Sequence, residues 1–152
     1  MKRRKLLFIL AVIMIPAFAF TKYYTEKAAA AEEVKKVVKE SYIHGAFNEL
    51  NPEAMAKGFH EDFAIFSAKG EAIGKYPIKT WVESVKTSKA KPDFDPEKNK
   101  WDHNFATVDV TGGSAMVKVE LSKDGKHIFT DYLSLLKFDS GWRIVAKVYH
   151  KH

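Results

Sequence analysis

The sequence contains no cysteine, and this absence excludes several classes of protein. A disulfide framework, an iron–sulfur centre, a thiol nucleophile and every zinc site with a cysteine ligand are ruled out. The glycine-rich GxGxxG turn, the P-loop and the GxSxG elbow are also missing. The sequence therefore gives no support for nucleotide cofactors or serine hydrolase chemistry, and we expect no bound cofactor.

The sequence also lacks an apolar run long enough to cross a bilayer. Its longest run, Leu6 to Phe20, has 15 residues, fewer than the roughly 20 that a membrane helix needs. Basic residues precede the run, and Ala17-Phe18-Ala19 supplies the small-x-small pattern that signal peptidase accepts. Residues 1–19 thus predict a cleaved signal peptide, with an uncleaved anchor as the alternative. We expect a protein exported to the periplasm or outside the cell, in contact with membrane only during export.

The mature chain has little excess charge of either sign. The full chain carries a formal net charge of +6, which would suggest nucleic acid or an acidic surface as partner. Removing residues 1–19 removes four basic residues and no acidic ones, which leaves 21 basic against 19 acidic residues, a net charge of +2. We therefore expect no nucleic-acid partner.

The mature chain is predicted to be one domain, residues 32–152, after a flexible lead-in over residues 20–31. Helices are predicted from residue 32, over 52–57 after the start signal Asn51-Pro52, and from Pro77. Two short β segments flank a Lys69-Gly70 turn. Four strands follow over 101–111, 114–122, 127–138 and 142–150, and the first three of them are joined by two-residue hairpin signals at residues 112–113 and 124–125.

Two-residue hairpins fix the register, so the face of each strand residue can be counted from the turns. The count places Val117 opposite both Val108 and Tyr132, and Ala106 opposite Val119. The predicted core face carries Ala106, Val108, Val110, Ala115, Val117, Val119, Leu121, Ile128, Tyr132, Leu136 and Phe138.

The last strand has two alternatives. A three-residue loop before it points Trp142, Ile144, Ala146 and Val148 inward, whereas a two-residue loop points Arg143, Val145, Lys147 and Tyr149 inward. We favour the first alternative because it avoids burying two cations.

The opposite face of the sheet is predicted to be mixed rather than polar. Strands that are apolar on both sides are usually covered on both sides, so we predict a homodimer through this outer face; docking of a different protein is the alternative. The predicted outer residues are Trp101, Phe105, Met116, Phe129, Leu133 and Leu135, among His103, Lys118, Glu120 and Asp131.

Two segments carry a family resemblance. YIHGAFNELNPEAMAKGFHEDFAIF resembles the opening, and DYLSLLKFDSGWRIVAKVYH the last hairpin, of the SnoaL-like and putative lumazine-binding branches of the nuclear-transport-factor-2-like superfamily. The resemblance covers about residues 32–150 and implies an α+β cone: three N-terminal helices packed on a strongly curved antiparallel sheet around a pocket, often in dimers. Members include isomerases, dehydratases, cyclases and many non-catalytic binders, so the resemblance implies a fold and leaves the reaction open.

The candidate site residues are polar groups that the count places on the core face, together with residues of the helices and of the expected pocket mouth. A few polar groups in an apolar surface are typical of a ligand site, although such groups can also satisfy one another. We therefore predict binding of a small, largely apolar or aromatic ligand without catalysis. The candidates are Tyr42, His60, Trp81, Asn104, Thr130, Tyr132 and Ser134.

Two residues keep an enzymatic alternative open. Asp131 is counted opposite Lys118 on the outer face, which favours a cross-strand ion pair over catalysis. A histidine side chain can gain and lose a proton near neutral pH, so His60 could transfer protons, or it could simply be exposed. An isomerase, dehydratase or cyclase using either residue is the alternative function. His150 and His152 lack a third ligand nearby in sequence, so we predict no metal site.

Overall fold

In the computed structural model, which describes Lys22 and residues 24–152, helices pack against one six-stranded sheet. The described helical segments are α1, an α-helix over residues 24–37 that continues as a π-helix over Val38–Asn48, α2 (Pro52–Gly58) and α3 (Ile78–Lys89). The predicted α+β class is confirmed. The predicted signal peptide, residues 1–19, lies outside the described residues, and no described helix is long and apolar enough to cross a membrane.

The sheet is open, with the order β2-β1-β6-β5-β4-β3. Every neighbouring pair is antiparallel except β1 and β6, which run parallel. The strands are β1 (Phe59–Lys69), β2 (Ala72–Pro77), β3 (Asp102–Thr111), β4 (Ser114–Lys123), β5 (Lys126–Phe138) and β6 (Gly141–Lys151).

Helix α1 begins earlier than predicted and buries the predicted face. Residues 24–31, expected as a flexible lead-in, are helical. Val34, Val38 and Tyr42 are completely buried. Gly45 allows α2 to approach, because a Cβ there would lie 3.3 Å from the backbone nitrogen of Met55.

The predicted start of α2 and the two predicted hairpin turns are confirmed. The Asn51 side chain accepts hydrogen bonds from the first N–H groups of α2, as expected of an N-cap. Asp124 and Gly125 both have positive φ, as a type I′ turn requires, whereas in the other hairpin Gly112 alone of the pair does, the sign pattern of a type II′ turn.

Bulges, however, change the faces of β3 and β5. One lies between Phe105 and Thr107 on β3, and another shifts the β4–β5 register beyond the pair of Ser122 and His127. Because side chains alternate along a strand, one extra residue reverses the face of everything beyond it.

The predicted core face is therefore right on β4 and wrong on β5. Ala115, Val117, Val119 and Leu121 are buried, as expected. On the inner face of β5 the buried residues are instead Asp131, Leu133 and Leu135, while Tyr132, Leu136 and Phe138 are exposed. On β3, Phe105 takes the place opposite Val119 that was predicted for Ala106, and Ala106 is exposed.

Four candidate site residues consequently lie on the outer face, contrary to prediction. Asn104 lies opposite Glu120 and donates a hydrogen bond from Nδ2 to its Oε2 (3.1 Å). Tyr132 and Ser134 are exposed. Thr130 is buried, but Oγ1 contacts His127 and His152 rather than the helices.

A third bulge, at Val145, combines the two alternatives for the last strand. Before it, Trp142 and Ile144 point inward, as favoured; beyond it, Lys147 and Tyr149 do. The rule against burying cations is therefore broken at Lys147, which is only 4% exposed.

The outer face remains mixed in character, with a different set of residues. Phe129, Leu133 and Leu135, predicted here, lie on the inner face. The homodimer through this face stays a prediction. Large apolar side chains exposed on the outer face are Met116, Tyr132, Leu136, Phe138 and Val148.

Candidate functional site

A cavity of about 330 Å³ opens between the C-terminal end of α1, α3, the β1–β2 hairpin and the adjoining ends of β5 and β6. This volume falls at the lower end of the range of small-molecule sites. Three lysines and five aromatic rings line it, and none of its lining residues is acidic. The lining residues are Phe47, Ile65, Ser67, Lys69, Gly74, Lys75, Tyr76, Trp81, Phe129, Lys147 and Tyr149.

A closed triangle of polar side chains lies at the inner end of this cavity. Lys147 Nζ lies 2.8 Å from Asp131 Oδ1 and donates a hydrogen bond to Tyr42 Oη (2.6 Å). The Tyr42 hydroxyl donates in turn to Asp131 Oδ2 (2.6 Å). The Lys147 contact with Oδ1 is an ion pair, since that oxygen receives no well-directed hydrogen bond from the residues described. Asp131 and Tyr42 are completely buried, so Lys147 is the member that faces the cavity.

Aromatic rings surround the buried ammonium group. Five ring centroids lie 5.0–5.8 Å from Lys147 Nζ, within the range of cation–π attraction. The rings and the Asp131 carboxylate together replace the water that the cation loses on burial. The rings belong to Tyr42, Phe47, Trp81, Phe129 and Tyr149.

Burial shifts the pKa of two members of the triangle in opposite directions. It lowers the pKa of Lys147, while the negative charge of Asp131 acts against that shift. It raises the pKa of Tyr42 well above its ordinary value, and the negative charge of Asp131 adds to this rise. Tyr42 is therefore a neutral phenol that donates to the carboxylate throughout the physiological range.

The raised pKa of Tyr42 predicts that the folded protein loses stability in alkali. Below pH about 10 the phenol is protonated in both states; above it, the unfolded phenol ionises while the folded one keeps its proton, so stability falls. We expect urea unfolding midpoints to fall less steeply between pH 9 and 11 in Tyr42→Phe than in the wild type. Tyr132→Phe, which changes an exposed phenol, is the control and should keep the wild-type slope. Equal slopes for all three proteins would contradict this prediction.

The structure brings two of the seven candidate residues to the site. Trp81 lines the cavity and Tyr42 lies beneath it. His60 borders a separate depression between α2 and α3, and its ring stacks on Phe138. The other four, described above, lie on the outer face of the sheet.

The position of Asp131 is the largest departure from the sequence-based prediction. It was expected to pair with Lys118 on the outer face, but it lies opposite Val119 and pairs with Lys147 inside. Lys147 itself was missed as a site residue. The available signal was that both charged residues occur in apolar strands, Asp131 between Phe129 and Leu133 and Lys147 within VAKVY, so that each needs a partner once buried.

No group of three His, Asp or Glu side chains able to hold a metal ion occurs within residues 24–152 or at Lys22. The rings of His127, His150 and His152 lie near one another at the end of the sheet. Thr130 and the backbone carbonyl of Phe129 take up two of their ring nitrogens.

Residues 29–150 match the profile of the protein family described as putative lumazine-binding. The chain belongs to this family. The description of the family points to small-molecule binding. A further relative, the aldolase FrzH of Cladobotryum sp, is 27% identical over 129 residues, covering 83% of this chain and 97% of the relative.

Solved structures with a similar fold include proteins described as nuclear-transport-factor-2-like. One from Shewanella baltica OS155 has 23% identity and a TM-score of 0.63, covering 85% of this chain and 96% of its own. Another, from Silicibacter pomeroyi DSS-3, has 22% identity and the same TM-score, covering 85% and 98%. At this identity the likeness shows the fold alone, and it confirms the expected fold.

Proposed function

We propose that the protein binds a small planar ligand carrying an anionic or carbonyl oxygen, held in the cavity above Lys147. The observation that carries this proposal is the placement of the amine. An ammonium group has three N–H donors; Lys147 donates one to Tyr42 Oη, and Asp131 lies beside the group as its counter-ion. Because Lys147 lines the cavity, a remaining N–H is available to an oxygen of a ligand.

The walls and rim of the cavity favour a flat, electron-rich ligand. Phe47, Trp81, Phe129 and Tyr149 offer ring faces and edges for stacking. Lys69 and Lys75 are exposed at the rim, and no acidic residue lines the cavity. The field at the entrance therefore attracts negative charge.

We further propose that the protein is exported and acts as a binder rather than an enzyme. Export is supported by the basic residues and apolar run of residues 1–19. Of the two bases considered from the sequence, His60 borders another depression and Asp131 is completely buried behind Lys147. Neither reaches a ligand in the cavity, and a general base must lie within hydrogen-bond reach of the proton it takes.

A second candidate is an enzyme that acts on a carbonyl compound. Its support is the buried Lys147–Asp131 pair beside a cavity, together with a 27% identical relative named as an aldolase. Binding is favoured because it needs only the amine that faces the cavity.

The test is calorimetric titration of the mature protein with 2-naphthoate and with 2-naphthylmethanol, two bicyclic probes that differ in charge. We expect naphthoate to bind at least about tenfold more tightly, a preference worth about 1.4 kcal/mol. Asp131→Asn/Lys147→Met, which removes both buried charges and leaves the rim lysines in place, should remove most of the preference. The exposed control Lys126→Met should retain it. Absence of naphthoate binding at millimolar concentration, or an unchanged preference in the double variant, would overturn the proposal.

A further inference from the structure

Lys147 differs from the exposed lysines of the chain in a way that bears on its reactivity. Its side chain is 5% exposed and lines a cavity whose walls carry five aromatic rings. A carboxylate lies 2.8 Å from its nitrogen. The rim lysines Lys69 and Lys75 are exposed, and among the described contacts neither has a carboxylate partner. An amine held in an apolar cavity beside a proton acceptor is the arrangement that nucleophilic lysines use.

We propose that Lys147 forms a covalent imine with an aldehyde or ketone ligand held in the cavity, an inference that rests on the proposed binding function. The neutral amine nitrogen attacks the carbonyl carbon, so that a C–N bond forms as the C=O π bond breaks, and one proton moves from the nitrogen to the carbonyl oxygen. The resulting carbinolamine then loses its hydroxyl group together with the remaining proton on nitrogen, as water, and the C=N bond forms. One water molecule is released for each imine, and no oxidant or reductant is consumed.

Asp131 accepts the proton that Lys147 must lose before its nitrogen can attack. An ammonium nitrogen has no lone pair, so Lys147 must first lose a proton, and Asp131 Oδ1 is the adjacent acceptor. This transfer converts a charged pair into a neutral pair without changing the net charge of the buried group. Burial, which lowers the pKa of Lys147, favours the neutral form.

Tyr42 holds the carboxylate in place during this exchange. Its hydroxyl donates to Oδ2 and leaves Oδ1 for the lysine. Asp131 and Tyr42 are both completely buried, so they act through Lys147 and are positioning residues. The rings of Phe47, Trp81 and Tyr149 surround the Lys147 nitrogen, whose side chain is only 5% exposed. Limited access of water to this nitrogen disfavours hydrolysis of an imine.

The test is reductive trapping with 2-naphthaldehyde and sodium cyanoborohydride at pH 7.5, followed by peptide mapping. Cyanoborohydride supplies the hydride that reduces the imine to a stable secondary amine. We expect the adduct on Lys147 to form at least about tenfold faster than on Lys69 or Lys75. Lys147→Arg, which keeps a cation beside Asp131 but has no nucleophilic amine, should reduce labelling to the level of surface lysines. Lys126→Met should leave it unchanged.

The pH dependence of labelling separates a positioning role from a merely structural one. In Asp131→Asn the ammonium loses its negative partner, so the pH of half-maximal labelling should move downward. Near-UV circular dichroism reports whether each variant is folded. If Asp131→Asn does not fold, the same profile is measured on Tyr42→Phe, which keeps the ion pair; we expect its midpoint to shift from that of the wild type, and an unshifted midpoint would overturn the positioning role. If the most exposed lysines are labelled fastest while 2-naphthoate still binds, the proposal of an imine at Lys147 is wrong and the proposed binding function stands. Loss of both labelling and naphthoate binding would overturn the proposed function as well.

Discussion

Lys147→Met is expected to lower the free energy of unfolding by about 3–5 kcal/mol, because it leaves a buried carboxylate without its cation. Asp131 is completely buried, and its remaining partner is the Tyr42 hydroxyl. Urea unfolding at pH 7.5, followed by far-UV circular dichroism, measures the change. Lys126→Met, at an exposed position next to a hairpin turn, should change stability by less than about 0.5 kcal/mol.

The double variant Asp131→Asn/Lys147→Met distinguishes the loss of an ion pair from the loss of packing. Removing both charges should restore most of the stability, since buried ion pairs are often replaced by uncharged residues at little cost. The Tyr42 hydroxyl can still donate to the asparagine side-chain oxygen. A double variant that loses the sum of the two single effects would show that the residues do not interact.

Leu135→Ala should destabilise the protein by about 2–5 kcal/mol, whereas Leu136→Ala should cost less than about 1 kcal/mol. The two leucines are neighbours on β5 and form a matched pair: Leu135 is 1% exposed and Leu136 is 42% exposed. Thermal or urea unfolding of the two variants gives the comparison. Because alternation without the β5 bulge would bury Leu136 instead, the reverse order would contradict the observed register.

The features that could be predicted from the sequence depend on short-range interactions. Asn51 and Pro52 begin α2 because capping involves only the first turn of a helix. The turns at residues 112–113 and 124–125 need only residues that tolerate positive φ. The β4 face followed correctly from these turns, because β4 lies between two tight hairpins.

The bulges could not be predicted, because no residue type in them requires an extra position. The bulge near Ile128 and the one at Val145 lie within strands of a curved sheet. Bulges bend a strand locally, and the curvature that they accommodate is a property of the whole sheet. Together they turn Asp131 and Lys147 to the same side. The prediction that Lys147 points outward rested on the cost of burying a cation. That cost is offset when the cation is buried beside its counter-ion and aromatic ring faces.

The central claim is that the cavity above Lys147 holds a small molecule, and native mass spectrometry of the protein purified from its own host tests it most directly. We predict a wild-type protein whose mass exceeds that of the chain by one small molecule, and an Asp131→Asn/Lys147→Met protein that lacks this excess. A wild-type protein without bound ligand, or the same ligand retained by the double variant, would contradict the account.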